Sequence, residues 1–311
     1  MPLSEFSLIE KYFSRQALKN SSTRLGIGDD GALLAASDEF ELAVTVDTMV
    51  ENVHFFAGTE PRQLGHKLLA VNLSDLAAMG AKPLAVTLAL TLPDVDEVWL
   101  AGFAKGFLDL AERHSVELIG GDTTSGPLTL TVQAIGQVPK GRALLRSSAM
   151  PGDGIYMTGQ LGDAGLGLKI RQGYGCNDPE GALARFNAPD PQVTAGQALV
   201  GIANACIDIS DGLAGDLGHI LKQSGVGACL NWEALPLSDA VLAYIEDTGD
   251  WSMPLTAGDD YQLCFTVNPE NAHLLTMDCT KIGVIEPSPG LRLNKSGTLQ
   301  SLQVKSFEHF S

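Results

Sequence analysis

The sequence predicts a globular protein of mixed α+β class, because strand-like apolar segments and helical patterns follow one another in both halves. Hydrophobic residues make up 45 % of the 311 residues, which is enough for a large buried core. No apolar segment reaches the roughly 18 residues that a membrane-spanning helix needs, and the N-terminus carries acids where a secretion signal carries bases. We therefore expect a soluble, cytoplasmic protein.

The first half begins its regular structure with a strand over residues 41–50, ELAVTVDTMV. Pro61 is typical of the first position of a helix, here PRQLGHKLLAVNLSDLAAMG. A strand follows at residues 85–92, and then a helix for which we predict Asp94 as N-cap and Glu97 as its capping-box partner. Two more strands are predicted, VELIGG and LTLTVQAIGQV.

The second half follows a stretch without periodicity, PKGRALLRSSAMPGDG, that ends in turn residues. We place the domain boundary there, with one domain over residues 1–140 and another over residues 151–311. The pattern then predicts a strand (IYMTG), a glycine-rich entry into a helix (GQLGDAGLGL) and a helix around PQVTAGQALVGIANA. A strand (CIDI), a helix closed by Gly225 and a turn running into a strand (TAGDDYQLCFTV) complete the prediction.

Charge and cysteine content exclude several classes of function. The net charge is −17, with 37 acids against 20 bases, and so acidic a surface repels nucleic acids and anionic membranes. The five cysteines are an odd number without a C-x-x-C pair, and their apolar neighbours indicate buried thiols. Nucleotide and hydrolase motifs such as G-x-x-x-x-G-K-[ST], H-E-x-x-H and G-x-S-x-G do not occur.

Aspartates at the ends or on the inner faces of apolar elements are the strongest chemical signal. Asp75 projects from the apolar face of its helix, with Leu68, Val71 and Met79 as neighbours on that face. A carboxylate there is costly unless a proton, a base or a metal neutralises it. The group comprises Asp47, Asp75, Asp122, Asp208, Asp211, Asp259 and Asp260.

Each aspartate also has an ordinary structural interpretation. Asp-Gly is a common turn dipeptide, Ser210 and Asp211 are good helix caps, and Asp75 can pair with a buried base. The joint pattern favours metal binding, because converging carboxylates repel one another unless cations are present. Oxygen-only ligands select Mg²⁺, which in proteins usually couples carboxylates to substrate phosphates.

The segment GIGDDG, residues 26–31, matches G-x-G-x-x-G but does not fit a dinucleotide fold. Such a fingerprint follows a strand, whereas the preceding KNSSTRL is polar and basic. Asp29 and Asp30 would also repel a bare pyrophosphate. We interpret the segment as a loop whose carboxylates hold a metal ion.

The chain resembles the thiamine-monophosphate kinase family, within the superfamily that includes aminoimidazole ribonucleotide synthetase and selenophosphate synthetase. The resemblance runs in order from residue 5 to residue 310. The matching stretches are EFSLIEKYF, GIGDDGALL, VDTMVENVHF, AVNLSDLAAMGAKP, TLALTLP, LIGGDTTSGP, GRALLRSSAMPGD, IDISDGLAGDLGHI, GDDYQLCFTV and SFEHF.

The resemblance implies a two-domain aminoimidazole ribonucleotide synthetase-like fold with the active site in the cleft between the domains. It implies an N-terminal domain that dimerises through its sheet, and ATP-dependent phosphorylation of thiamine monophosphate to thiamine diphosphate with several Mg²⁺ ions. The implied metal ligands are Asp30, Thr45, Val46 through its backbone carbonyl, Asp47, Asp75, Asp122, Asp208 and Asp211. The implied ATP contacts are Gly121, Asp122, Arg146 and Ser210, and the implied substrate contacts are His54, Asp259 and Phe307.

Three positions depart from the family pattern. Val46 replaces a hydroxyl residue, Asp259 replaces a glutamate, and SFEHF replaces the usual Gly-Tyr-Asp-His-Phe near the end of the chain.

Two other functions stay open. One is a synthetase of the same superfamily that acts on another acceptor, although the first cysteine, Cys176, lies too far along the chain for a selenophosphate synthetase. The other is a non-catalytic protein that binds divalent cations.

Overall fold

The computed structural model describes residues 11–13, 23–25, 33–34, 37–177 and 179–302, the second and third of these ranges by their backbone alone. The chain forms two compact units. Unit 1 contains residues 1–76 and 81–141, and unit 2 contains residues 77–80 and 142–311. A short antiparallel pair, β1 (Thr23–Leu25) and β2 (Leu33–Leu34), precedes the main sheet of unit 1.

Unit 1 is built on a four-stranded sheet. Its strands are β3 (Phe40–Val50), β4 (Lys82–Leu92), β5 (Glu117–Ser125) and β6 (Thr129–Pro139). They lie in the order β3-β6-β4-β5, with β4 and β5 parallel and the other pairs antiparallel. Helix α1 (Pro61–Ala78) precedes β4, and helix α2 (Glu97–Arg113) connects β4 to β5. The strand at residues 41–50 and the helix beginning at Pro61 confirm the predicted periodicities.

The two faces of this sheet differ because side chains alternate along each strand. Ala43 and Met49 on β3, and Leu130 and Val132 on β6, are buried on the inner face. The side chain of Leu76 at the end of α1 approaches this face at Gly136 of β6. On the outer face β3 presents a strip of exposed apolar side chains, which we call the β3 strip: Phe40, Leu42, Val44 and Val46.

Helix α2 is capped by Asp96, so the prediction of Asp94 was wrong. One oxygen of the Asp96 carboxylate accepts hydrogen bonds from the N–H groups of Val98 (2.8 Å) and Trp99 (3.2 Å). Because β4 extends to Leu92, a helix capped at Asp94 would leave only Pro93 to connect the two elements. Glu97 is the first helical residue and pairs with Lys11, so it does not complete a capping box.

Unit 2 contains a seven-stranded sheet in the order β13-β12-β9-β11-β7-β10-β8. Every neighbouring pair is antiparallel except β9 and β12. The strands are β7 (Gly154–Met157), β8 (Ala205–Asp208), β9 (Gly227–Asn231), β10 (Leu263–Val267), β11 (Thr280–Glu286), β12 (Gly290–Lys295) and β13 (Thr298–Leu302).

Six α-helices accompany this sheet within residues 142–177 and 179–302. They are α3 (Asp163–Arg171), α4 (Glu180–Asn187), α5 (Val193–Leu199), α6 (Leu213–Ser224), α7 (Asp239–Thr248) and α8 (Met253–Thr256). The core beneath the sheet includes Leu217 and Ile220 of α6 together with Ile207 of β8 and Leu230 of β9. Helix α6 ends at Gly225, whose φ of 69° is left-handed, and this confirms the predicted stop. This packing fixes the turn between β8 and α6.

Across the described ranges, none of the helices combines the length and the apolar character that crossing a bilayer requires.

The N-cap assignment can be tested by substitution. We expect Asp96→Ala to lower the free energy of unfolding by about 1 kcal/mol, because two N–H groups of the first turn lose their acceptor. Asp94→Ala is the matched control and should leave stability unchanged. Urea denaturation of both variants provides the measurement, and equal losses would contradict the assignment.

Candidate functional site

In unit 1 the structure brings together three predicted residues from two elements. The hydroxyl of Thr45 on β3 donates a hydrogen bond to the Asp75 carboxylate on α1. Asp47 lies two residues beyond Thr45, so its side chain projects from the same face of the strand. All three residues are half-buried. Val46, between them, is 59 % exposed on the opposite face, so only its backbone is available to a ligand on the inner face.

Gly121 and Asp122 lie on β5, at the other edge of the same sheet. The φ of Gly121 is 157°, and a Cβ at this position would stand 1.9 Å from the carbonyl oxygen of Leu88, so only glycine fits. Strand register places Gly121 level with Asp47, and two strands lie between them. The backbones of β3 and β5 are therefore roughly 14 Å apart. The structure does not bring Asp122, which is exposed, alongside Asp47.

His54 lies in the turn that follows β3. The N–H of Val50 donates a 3.0 Å hydrogen bond to Nδ1 of His54. In the neutral ring the proton is therefore on Nε2, which makes that atom a donor. The half-buried ring thus has one nitrogen committed to the turn and a defined tautomer.

In unit 2 the predicted residues follow strand β8. Asp208, the last residue of the strand, is buried, and Ser210 and Asp211 form the turn into α6. The N-cap of α6 is Gly212 and makes no side-chain hydrogen bond, so the capping interpretation of Ser210 and Asp211 was wrong. The N–H groups of both residues instead donate to Oδ2 of Asp216, each at 3.0 Å.

The segment before β10 runs antiparallel to this turn. The N–H of Asp259 donates to the carbonyl of Ser210 (2.9 Å), and the N–H of Tyr261 donates to the carbonyl of Ile209 (2.8 Å). Asp259 and Tyr261 have φ angles of 69° and 47°, in the left-handed region. The Tyr261 hydroxyl donates to the Asp259 carboxylate at 3.0 Å. The predicted substrate residue Asp259 therefore lies beside the predicted nucleotide residue Ser210.

The chain around Arg146 lies beside β8, the terminal strand among those described in this sheet. The carbonyl of Leu145 accepts the N–H of Cys206 (3.1 Å), and the carbonyl of Arg146 accepts the hydroxyl of Ser224 (2.9 Å). The Arg146 side chain is exposed. Its guanidinium lies near enough to Asp216 to act on the pKa of that carboxyl.

Two further carboxyl groups in unit 2 are buried; Asp216 escaped the sequence prediction, whereas Asp260 was among the aspartates that it singled out. Burial raises the pKa of Asp216 to about 7; the charge of Asp211 adds to this, while the two N–H bonds and the charge of Arg146 oppose it. Burial likewise raises the pKa of Asp260 to about 7, and the charges of Asp163 and Asp259 act in the same direction. Asp260 accepts the N–H groups of Gly162 (2.8 Å) and Ala164 (3.2 Å) at the start of α3.

Two predicted ligands, Asp30 and Phe307, lie outside the described residues, as does Asp29. Within the described part of the chain, no three histidine, cysteine, aspartate or glutamate side chains form a group that holds a metal ion by themselves. The donors found at the predicted positions are carboxylate, hydroxyl and carbonyl oxygens, the atoms that Mg²⁺ prefers. Mg²⁺ is commonly held by one or two carboxylates together with phosphates and water, and these donors fit that arrangement.

Comparison with protein families finds two matching domains. Residues 28–138 match "AIR synthase related protein, N-terminal domain", and residues 150–295 match "AIR synthase related protein, C-terminal domain". A thiamine-monophosphate kinase of Escherichia coli is 44 % identical over 323 aligned positions, which cover 100 % of this chain and 99 % of the relative.

Solved structures agree in fold. The crystal structure of a thiamine-monophosphate kinase from Stenotrophomonas maltophilia is 42 % identical, with a TM-score of 0.86, and the match covers 96 % of this chain and 99 % of that one. A structure described as "AaThiL complexed with AMPPCP and TMP" is 31 % identical, with a TM-score of 0.80. The match covers 91 % of this chain and 92 % of that one. The predicted α+β class and two-domain fold are confirmed.

The buried carboxyl of Asp260 predicts a pH dependence of stability. Because its pKa is raised on folding, the native state binds this proton more tightly than the unfolded chain does. The contribution to stability is therefore complete below the ordinary carboxyl pKa of 3.8 and is lost as the pH rises to about 7. Across this pH range the free energy of unfolding of the native protein should fall relative to that of Asp260→Asn. Above this range the difference between the two free energies should be constant.

Urea denaturation between pH 4 and pH 8 measures the effect. Trp232 and Trp251 lie in unit 2, and the third tryptophan, Trp99, lies in unit 1, so a Trp99→Phe background restricts the fluorescence signal to unit 2. Every other titrating group is common to both proteins, and its effect cancels. Parallel curves for the two proteins would show that Asp260 has an ordinary pKa.

Proposed function

Because the chain belongs to the AIR synthase related family in both of its domains, and matches thiamine-monophosphate kinases along its whole length, we propose that it transfers phosphate from ATP to thiamine monophosphate. The full-length identity of 44 % is the observation that carries this proposal. The relative bound to AMPPCP and TMP supports the choice of an adenine nucleotide and thiamine monophosphate as the two substrates. The product is thiamine diphosphate.

The proposed metal ions are several Mg²⁺ ions that enter with the nucleotide. We assign as ligands the oxygens of Thr45, Asp47, Asp75 and Asp122 in unit 1, and of Asp208 and Asp211 in unit 2, with the Val46 carbonyl and Asp30 as further donors. The ions would supply charge neutralisation for the phosphates. The carboxylates described above are positioned singly or in pairs, so the phosphates would complete each coordination shell.

We propose direct in-line transfer without a phosphoenzyme. The acceptor is a phosphate monoester whose second pKa is about 6, so it is largely ionised at neutral pH and needs no general base. The main barrier is repulsion: one pair of unit charges 4 Å apart costs about 4 kcal/mol at an effective dielectric near 20. Positioning and charge neutralisation are therefore the work of the site.

In the proposed reaction each assigned residue binds either ATP or thiamine monophosphate. Gly121, which offers only its backbone, is assigned to ATP together with Asp122, Arg146 and Ser210. His54 offers an Nε2–H donor to the acceptor phosphate, because Val50 occupies Nδ1. Asp259 is assigned to the thiamine moiety, and its carboxylate is oriented by the hydroxyl of Tyr261. Phe307 is assigned to the thiamine rings by resemblance alone.

We also propose a homodimer formed through the β3 strip. Leu42, Val44 and Val46 are each more than half exposed and occupy alternate positions on one strand, so their side chains form one continuous apolar surface. Contiguous apolar surface of this kind marks an interaction site rather than ordinary solvent-facing surface. A second copy of the chain is the partner that the family resemblance implies.

The function is tested by an assay of ATP, Mg²⁺ and thiamine monophosphate. Asp75→Asn and Asp211→Asn should each lower kcat/KM by at least about 100-fold, because each weakens the binding of the Mg²⁺ ions that would neutralise the phosphates. Asp109→Asn is the control: this exposed residue of α2 pairs with Arg62 and Lys105 and has no assigned role.

Each alternative has its own outcome in this assay. Turnover with synthetase substrates in place of thiamine monophosphate would support the sister activity, and tight Mg²⁺ binding without nucleotide and without turnover would support an ion-binding protein. Full activity of both aspartate variants would overturn the metal assignments. ³²P retained on the protein when ATP is supplied without acceptor would contradict direct transfer.

The dimer is tested by a charge on the β3 strip. Val44→Asp should convert the dimer to a monomer, because the interface would have to bury an unpaired carboxylate. Val98→Asp is the matched control, since Val98 is 83 % exposed on helix α2, away from the strip. Light scattering after size-exclusion chromatography gives the mass; a dimer in both variants, or a monomeric native protein, would contradict the proposed interface.

A further inference from the structure

A single buried oxygen supports the turn that carries two of the assigned residues. Asp216 is 2 % exposed, and its Oδ2 accepts both the Ser210 N–H and the Asp211 N–H at 3.0 Å. Both donors lie ahead of helix α6, which begins at Leu213, so neither is satisfied by the helix itself. Asp216, in the first turn of that helix, reaches back to them.

The other side of the same turn is held by a different segment. The Ser210 carbonyl accepts the N–H of Asp259 at 2.9 Å, and a Cβ at Gly258 would stand 2.0 Å from that carbonyl oxygen. Asp216 thus bonds the peptide groups on both sides of Ser210, and the Asp259 N–H bonds the second of these groups through its carbonyl. Of these supports, only Asp216 acts through a side chain, so it can be removed without altering the backbone.

We propose that Asp216 is a positioning residue of the phosphoryl-transfer site. Its carboxylate holds the backbone of Ser210 and Asp211 in the conformation that presents both side chains to the nucleotide and its metal ions. The inference rests on the proposed function, since that function assigns the roles of Ser210 and Asp211. Asp216 itself contacts neither the substrates nor the reacting atoms in this proposal.

The geometry separates a hydrogen-bonding role from a charge role. Because both bonds end on one oxygen, the amide oxygen of Asp216→Asn can accept both N–H groups, and only the charge is lost. Asp216→Ala removes both bonds. If Asp216 acts by positioning, we therefore expect Asp216→Asn to retain function. If Asp216 were a metal ligand or a base, Asp216→Asn would lose function as Asp216→Ala does.

The kinetic experiment compares these two variants with a structural control. Asp216→Ala should lower kcat/KM for ATP by about 100-fold, the scale of an ångström-sized displacement of a binding group. Asp216→Asn should retain most of the native value. The control is Asp96→Ala, since Asp96 likewise accepts two N–H groups on one oxygen at a helix start but holds no assigned residue. It should reduce thermal stability with unchanged kinetic constants.

Amide hydrogen exchange provides a readout that does not depend on turnover. The Ser210 and Asp211 amides should exchange faster in Asp216→Ala and at the native rate in Asp216→Asn. Unchanged exchange in Asp216→Ala, or an Asn variant as impaired as Ala, would overturn the positioning role. If the native protein does not phosphorylate thiamine monophosphate, the proposed function fails, while the exchange rates still decide whether Asp216 holds the turn.

Discussion

Hydrogen bonds from loop N–H groups to two buried carboxylates are the constraint on which two connections of unit 2 depend. Asp216 secures the turn after β8, and Asp260 secures the start of α3. An unsatisfied buried N–H costs about 1–3 kcal/mol, so each carboxylate prevents a penalty comparable to a large part of a domain's net stability. The opposing cost is the desolvation of the two carboxylates, which raises the pKa of both Asp216 and Asp260.

The sequence predicted the elements whose pattern is long and regular. Strand β3 and helices α1 and α6 were recognised because their periodicity extends over several turns or alternations. The start of α2 was misplaced because Asp94 and Asp96 are equally good caps, and only the end of β4 at Leu92 decides between them. Strands β9, β11, β12 and β13 went unnamed, since strands of five to seven residues carry little periodicity of their own.

The roles of the candidate site residues stay predictions from the sequence, and the hydrogen bonds that hold these residues in place could not be predicted. Asp75 was found because a carboxylate on an apolar helix face needs a partner, and the same criterion applies to Asp216, which stands among Leu213, Leu217 and Ile220. Asp260 was singled out as well, but its two hydrogen-bond donors could not be predicted, because they lie almost a hundred residues earlier in the chain. Left-handed φ angles at two non-glycine residues, Asp259 and Tyr261, are equally invisible in a sequence.

Strand β3 has a second property besides its apolar strip: among the described strands it lies at one edge of its sheet, and it is eleven residues long. Long, apolar strands at a sheet edge offer unpaired backbone groups to any other extended chain and are therefore prone to aggregation. A newly made copy would carry this hazard until its surface is covered. Association of two copies would then protect the cell from misassembly as well as complete the quaternary structure.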